Sequence, residues 1–318
     1  MPHRPNFRRL FRTILLLALA GVTGLFLWYY IRDPAVFLPA ARHDLPATIN
    51  TPVIMDGRRV EHVTLDGGSL GTIGFAVSFP DPMPAGKLPV LLVLGGLGDG
   101  IDNISYIKNA GDNVMVGYDW PIPVRFPEGL DFVRQVPALY AHVMSIPGQA
   151  ASVIGWLATQ PWADGKRFSV LGFSLGALAA PAIENLATQG GHKIGWTIIA
   201  YGGAPLGALF ANDPHMKPAW LRHVIGPVID VLLRPAEPTV NLPHLSGHFL
   251  VLEGNDDHLM PPAERFLMRD AVPAPKDVVI FGGRHMGVGP GKMKLLAEII
   301  GTSRAWLTAN GAVNRSPN

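Results

Sequence analysis

The chain has 318 residues, enough to bury a large core as one or two domains. Its formal net charge is +2, and no basic stripe alternates with aromatics, so there is no case for a nucleic-acid partner. It has no cysteine, which excludes thiol catalysis, disulfides and thiolate metal sites and leaves the redox compartment open. Hydrophobic residues are 48% and charged residues 16%, an apolar balance for a soluble protein, with part of the excess at the N-terminus.

Residues 1–12 are basic, with Arg4, Arg8, Arg9 and Arg12. The uncharged run 13–31 follows, about the length that crosses a hydrocarbon core as a helix. Trp28, Tyr29 and Tyr30 close it, as interfacial aromatics do. Arginines on the near side predict a cytoplasmic N-terminus, with the rest of the chain across the membrane. Two export readings compete with this single-pass anchor. Ala18-Leu19-Ala20 fits a signal-peptidase site, and Arg8-Arg9-Leu10-Phe11 is faintly similar to a twin-arginine signal. Cleavage after Ala20 would leave the apolar run Leu25 to Ile31 at the new terminus, which favours the anchor. A buried core helix is the plainer reading of the same run.

Residues 32–59, rich in Pro, Ala and polar side chains, read as a linker. A folded unit is expected over 60–312, with a short tail at 313–318. Val60 to Leu65 and Ile73 to Phe79 predict two strands joined at Asp66-Gly67-Gly68. Pro89 to Leu94 and Asn113 to Tyr118 predict buried strands, and Gln149 to Thr159 a helix ended by Pro161. Phe168 to Leu171, Trp196 to Tyr201, Phe249 to Glu253 and Val278 to Phe281 continue the strands. Leu175 to Thr188 and Lys292 to Thr308 are expected as helices. This alternation predicts an α/β fold: a mostly parallel sheet with helices on both faces and an antiparallel start.

The interval 204–246 breaks the rhythm. Trp220, Leu221, Val224, Ile225, Val228, Ile229, Leu232 and Leu233 recur at helical spacing. An inserted amphipathic helix there reads as a cap over the carboxyl edge of the sheet or as an ordinary surface helix.

The chemistry-bearing residues fall at predicted strand ends. Gly172-Phe173-Ser174-Leu175-Gly176 fits G-x-S-x-G between a strand and a helix. In so tight a turn, side chains at Gly172 and Gly176 would clash, and the serine hydroxyl is lifted clear. A serine in a glycine-rich loop is the plainer reading. A serine hydroxyl needs a base, and the base needs an orienting acid. Downstream, one strand runs into Gly254-Asn255-Asp256-Asp257-His258 and the next into Gly282-Gly283-Arg284-His285. That is the order serine, acid, histidine. Upstream, Gly95-Gly96-Leu97-Gly98-Asp99-Gly100 ends a strand, and its backbone N–H groups suit an oxyanion hole. Leu97 and Leu175 are the expected donors. The turn lacks the lysine and Ser/Thr of a phosphate loop, and Ile101 stands where a dinucleotide turn needs its third glycine. Asp256, Asp257 and His258 are adjacent rather than spaced as metal ligands, and no HExxH occurs, so no metal is expected.

This ordered set resembles the α/β-hydrolase superfamily over roughly residues 60 to 310, in its serine esterase and dienelactone-hydrolase-like branch. Trp162 to Arg167, before the elbow strand, is also similar to that branch. The resemblance implies a Ser174, His285, Asp257 triad, because the family acid commonly stands four residues before a proline, here Pro261. Asp256, four before Pro262, is the alternative acid. Asp257 also reads as a cap for the following helix, and His285 as a surface loop histidine. Three departures stand out. Gly95-Gly96 replaces a frequent His-Gly, Ala177 a frequent second glycine, and Pro181 falls inside the helix after the elbow.

The expectation is a membrane-tethered serine hydrolase cleaving carboxylic esters through an acyl-enzyme, with no cofactor and a small-molecule ester or acyl substrate. The apolar insertion hints at an acyl or aromatic substrate group. Another acyl-transfer enzyme of the same fold (peptidase, thioesterase or acyltransferase) and a non-catalytic binding protein are the alternatives.

Overall fold

The computed structural model describes residues 7–96, 98, 100–108, 110–123, 129–212 and 219–314. The strands are β1 (Ala47–Ile49), β2 (Val53–Met55), β3 (Arg58–Asp66), β4 (Thr72–Pro80), β5 (Leu88–Leu94) and β6 (Val114–Tyr118). They continue with β7 (Ala163–Phe173), β8 (Trp196–Ala200), β9 (His248–Gly254) and β10 (Lys276–Phe281). The helices are α1 (Phe7–Ile31), α2 (Gly129–Ala158), α3 (Leu175–Gln189), α4 (Leu206–Asn212) and α5 (Ala219–Leu232). Then come α6 (Pro238–Asn241), α7 (Pro262–Ala271) and α8 (Met293–Ala309).

All ten strands join one sheet, in the order β1-β3-β4-β6-β5-β7-β8-β9-β10, with β2 also on β3. The β3–β4 and β4–β6 pairs are antiparallel, and the run from β6 through β5, β7, β8 and β9 to β10 is parallel. From β5 the chain moves to one side, to β6. It then returns across β5 to β7 on the other side. The carboxyl ends of β5 and β7 therefore flank the point where the strand order reverses, where open sheets form a crevice.

Alternation along the strands sends apolar side chains to both faces of the sheet. Val90, Leu92 and Leu94 of β5 pack with Ile154 and Leu157 of α2 and Ile183 of α3. Leu91 and Val93 point the other way, toward Leu296, Ile299 and Leu307 of α8. Both faces of β5 are covered, which is why it reads as an unbroken apolar run.

Two expectations need revision. Residues 32–59, expected as a linker, are built onto the body. Ala35 and Leu38 are buried, Arg42 donates its N–H to Ser152 Oγ at 2.8 Å, and β1 and β2 both pair with β3. The helix expected over Gln149 to Thr159 begins twenty residues earlier, at Gly129, and contains Pro137 and Pro147. Each proline removes one helical bond. Burial of Met144, Ile146, Ala150, Val153 and Leu157 around and beyond Pro147 holds the helix together. Pro181 lies inside α3 on its buried side without ending the helix.

The interval 204–246 contains α4, α5 and α6. The α4–α5 contact is close because both helices use glycine there. A Cβ on Gly207 would strike the Gly226 carbonyl. The first turn of α4 is capped from a distance. Leu206 donates its N–H to Glu237 Oε2 at 2.8 Å, and Gly207 to Asp230 Oδ1 at 2.7 Å. Burial pushes the Glu237 carboxyl up, against the pull of the Leu206 N–H and of the Thr239 hydroxyl and N–H.

Leu10–Ile31 spans 22 residues with a mean hydropathy of 2.1 and is long and apolar enough to cross a membrane, a property signal sequences share. None of its residues is buried. Its final turn touches the body. Tyr29 Oη donates to the Val231 carbonyl at 2.7 Å, and Trp28 and Tyr29 pack on Phe37.

Candidate active site

β7 ends at Phe173 and α3 begins at Leu175, so Ser174 alone makes the turn. Its backbone has φ 53° and ψ −111°, a conformation that costs an L-residue energy and persists only where neighbours enforce it. They do so on each side. Ser174 donates its N–H to the Ala200 carbonyl at 2.9 Å, and Gly176 donates to the Gly95 carbonyl at 3.0 Å. The second bond ties the elbow to the turn after β5. A Cβ on Gly172 would meet the Gly176 carbonyl oxygen at 2.6 Å, and one on Gly176 would overlap the Leu94 carbonyl. Both glycines are thus required by close backbone approach. Leu175 is the first residue of α3, in the turn whose N–H groups have no intrahelical acceptor.

Ser174 Oγ lies 2.8 Å from His285 Nε2, and His285 Nδ1 lies 2.7 Å from Asp257 Oδ2. Residues from three strand ends therefore form one hydrogen-bonded chain. The Asp257 side chain has no solvent exposure, and that of His285 has 10%. The other oxygen, Asp257 Oδ1, accepts the N–H groups of Leu259 at 2.9 Å and Met260 at 3.1 Å. Capping a turn and orienting a histidine are therefore not rival roles for Asp257, because each oxygen serves one. Asp256 points elsewhere. Its carboxylate sits 3.3 Å from His258 Nε2 and 4.0 Å from Arg284 Nε, all well exposed.

Three neighbours went unnoticed in the sequence. Tyr201, directly after β8, takes φ 58°, and its ring stands edge-on to His285 at 5.6 Å. Burial, and next the Asp257 charge, push its hydroxyl up to about 12. Arg265 of α7, almost fully buried, donates from Nη1 to the Gly254 carbonyl, where the loop carrying Asp257 begins. Glu253 lies behind it, 3.9 Å from Arg265 and 3.6 Å from Arg269. Burial raises the Glu253 carboxyl, while Arg269 and Arg265 pull it down. A hint lay in Tyr201-Gly202-Gly203, another strand end followed by glycines, but nothing local marked Arg265.

A cavity of about 300 Å³ opens at Ser174 and His285. Val93, Tyr106, Ile107, Phe173, Leu296 and Ile300 make most of its wall apolar, and Gly96 and Asn103 add polar groups. No described residue of α4, α5 or α6 lines it, so its apolar character does not come from the insertion. Gly95 is a glycine because the Asn103 side chain fills the space a Cβ would need. Leu97, the expected second oxyanion donor, lies outside the described residues.

No protein-family model matches the chain, and no curated protein matches it. Solved structures do. Acetyl xylan esterase 1 from Thermoanaerobacterium sp. JW/SL YS485 superposes with a TM-score of 0.59 at 15% identity, covering 86% of this chain and 92% of that one. The acetyl xylan esterase from Paenibacillus sp. R4 gives 0.58 at 15% identity, with 87% and 93% covered. A carboxylesterase from Lactobacillus plantarum WCFS1 gives 0.57 at 18% identity, with 81% and 99% covered. With the sheet order and the elbow described above, these superpositions establish that the chain has the α/β-hydrolase fold.

Proposed function

We propose that the protein is a serine hydrolase of carboxylic esters, with Ser174 as nucleophile, His285 as general base and acid, and Asp257 as the orienting acid. The observation that carries this reading is the continuous hydrogen-bonded chain from Ser174 Oγ through His285 to a fully buried Asp257, at the edge of an apolar cavity.

Ser174 Oγ attacks the ester carbonyl carbon as its proton passes to His285 Nε2. Asp257 Oδ2 holds the other ring nitrogen protonated and stabilises the imidazolium. The N–H groups of Leu175 and Leu97 receive the charge that develops on the carbonyl oxygen, each worth roughly 3 kcal/mol to the transition state. Collapse of the tetrahedral species breaks the ester C–O bond, and the departing alcohol takes the proton from His285. Water, deprotonated by the same histidine, then attacks the acyl carbon; the acyl–Oγ bond breaks, His285 returns the proton to Ser174 Oγ, and the carboxylic acid leaves. Gly95, Gly96, Gly172 and Gly176 shape the turns that present these groups.

Several fold neighbours are described as acetyl xylan esterases and carboxylesterases, which supports esters as the substrate class to test first. The apolar wall favours an acyl or aromatic group in the cavity. We also read α1 as a membrane anchor with the hydrolase body on the non-cytoplasmic side, on its length, its hydropathy and the arginines before it.

The test is a p-nitrophenyl ester series of increasing acyl length, run beside a peptide p-nitroanilide, on wild type and Ser174→Ala. Ester turnover that fails on the amide and falls by a factor of at least about 10⁴ in the variant supports the reading. Preference for the amide moves it to a peptidase. Equal rates in the variant and wild type overturn it.

A further inference from the structure

The last turn of α1 is fastened to one place on the body. Arg234 donates from Nη1 to the Tyr29 carbonyl at 3.3 Å and from Nη2 to the Tyr30 carbonyl at 2.7 Å. Its guanidinium also lies over both rings, 5.4 Å and 4.9 Å from their centroids. Tyr29 Oη holds the Val231 carbonyl in turn. The C-terminal end of α5 therefore sits at the level of Trp28, Tyr29 and Tyr30, the aromatics that mark a membrane–water boundary.

At that level described residues of α5 and α2 expose apolar side chains. Val224, Val228 and Leu232 of α5 are 54%, 47% and 46% exposed, and their spacing puts them on one stripe. Val133 and Val136 of α2 are 64% and 42% exposed and share a stripe with Tyr140. Tyr140 Oη donates to the Leu232 carbonyl at 3.3 Å, so the two stripes meet. The α2 charges Asp131 and Arg134 pair with each other and fall off the stripe by helical spacing. The second half of α2, by contrast, is buried in the core.

We propose that the face formed by α5 and the N-terminal half of α2 lies in the headgroup and upper acyl region of the bilayer that holds α1. The body is then seated on the membrane rather than hung from it. The proposal rests on reading α1 as an anchor. What points to lipid as the occupant is continuity. A helix with no buried residue, which itself requires an apolar surround, ends in direct contact with this face. Interfacial helices of this kind bury their apolar side to a depth of about 5–10 Å, which is where the α1 aromatics fix the level.

The chain has no cysteine, so single cysteines report one position each. Full-length Val228→Cys, Val136→Cys, Leu19→Cys and Ala305→Cys are labelled with an environment-sensitive nitrobenzoxadiazole dye. They are reconstituted in phosphatidylcholine–phosphatidylglycerol vesicles. Ala305 is exposed on α8, on the opposite face of the sheet from α2. The expected result is at least about twofold quenching at 228 and 136 by lipid spin-labelled near the headgroup end of the acyl chain. The Leu19 dye is quenched by lipid labelled near the chain methyl, and the Ala305 dye by neither. If the Leu19 dye is quenched while both 228 and 136 match Ala305, the seated face is wrong and the anchor stands. If the Leu19 dye is also unquenched, the anchor and the seated face fall together. Blue-shifted emission at 228 and 136 without lipid quenching means another protein copy covers the face, which also overturns the proposal.

Discussion

The nucleophile elbow and the 204–246 insertion both depend on glycines that let backbones touch. Gly176 lets α3 reach the Leu94 carbonyl of β5, and Gly207 lets α4 reach the Gly226 carbonyl of α5. Their surroundings differ. Gly176 is enclosed by a sheet covered on both faces, and the turn it serves leads straight into the Ser174–His285–Asp257 chain. Gly207 joins two helices whose outer sides leave Phe210, Val224 and Val228 exposed. The same packing device therefore supports the proposed reaction site in one region and helix packing in the other.

Removing a charge sharpens that contrast most. Asp257→Asn forces a hydrogen-bond donor or the wrong histidine tautomer onto Nδ1, and kcat should fall by about 10⁴. Asp256→Asn, at an exposed carboxylate whose partners His258 and Arg284 are exposed too, should stay within about twofold of wild type. Steady-state ester kinetics read both, and similar losses in the two variants would mean the loop supplies its charge collectively.

Methyl groups at the two glycines come next. Gly176→Ala should cost about 3 kcal/mol of stability and abolish turnover, since the new Cβ would overlap the Leu94 backbone and α3 or β5 must shift. Gly207→Ala should cost about 2 kcal/mol and leave kcat within about twofold, because no described residue of the insertion lines the cavity. Urea unfolding beside initial rates tests both. A large rate loss in Gly207→Ala would make the insertion part of the site.

These variants also mark what the sequence made legible. The elbow could be read because its requirements are local: a strand, a glycine pair, a serine, a helix. Asp257 and His285 could be read because a parallel sheet brings successive strand ends together. Choosing Asp257 over Asp256 rested on the resemblance, and the geometry that separates them, one carboxylate buried and one exposed, is tertiary. Tyr201 and Arg265 were missed for the same reason, since their partners lie far along the chain. The linker failed because three-residue strands such as β1 and β2, exposed throughout, leave no periodic pattern. The start of α2 failed because Pro137 and Pro147 read as breakers unless the burial of the following turns is known.

A smaller effect concerns pH. Burial pushes the Glu184 carboxyl on α3 up to about 8, partly offset by hydrogen bonding from Thr197. Its native pKa lies above the unfolded value of 4.5, so its neutral form favours the fold. That stability is complete below about pH 4.5 and is lost as pH rises toward about 8. Glu184→Gln stays neutral throughout. Relative to wild type it should gain on the order of 5 °C in Tm between acid and alkaline buffer. A constant difference across that window would mean Glu184 is ionised in the native protein.

The central claim is that Ser174 is the activated nucleophile, and mapping a fluorophosphonate adduct on the full-length protein addresses it directly. Intact-mass spectrometry should show one adduct per chain, with fragment ions placing it on Ser174. The adduct should be absent from Ser174→Ala and formed at least about a hundredfold more slowly in His285→Ala. No adduct on the wild type, or an adduct on another residue that persists in Ser174→Ala, would contradict it.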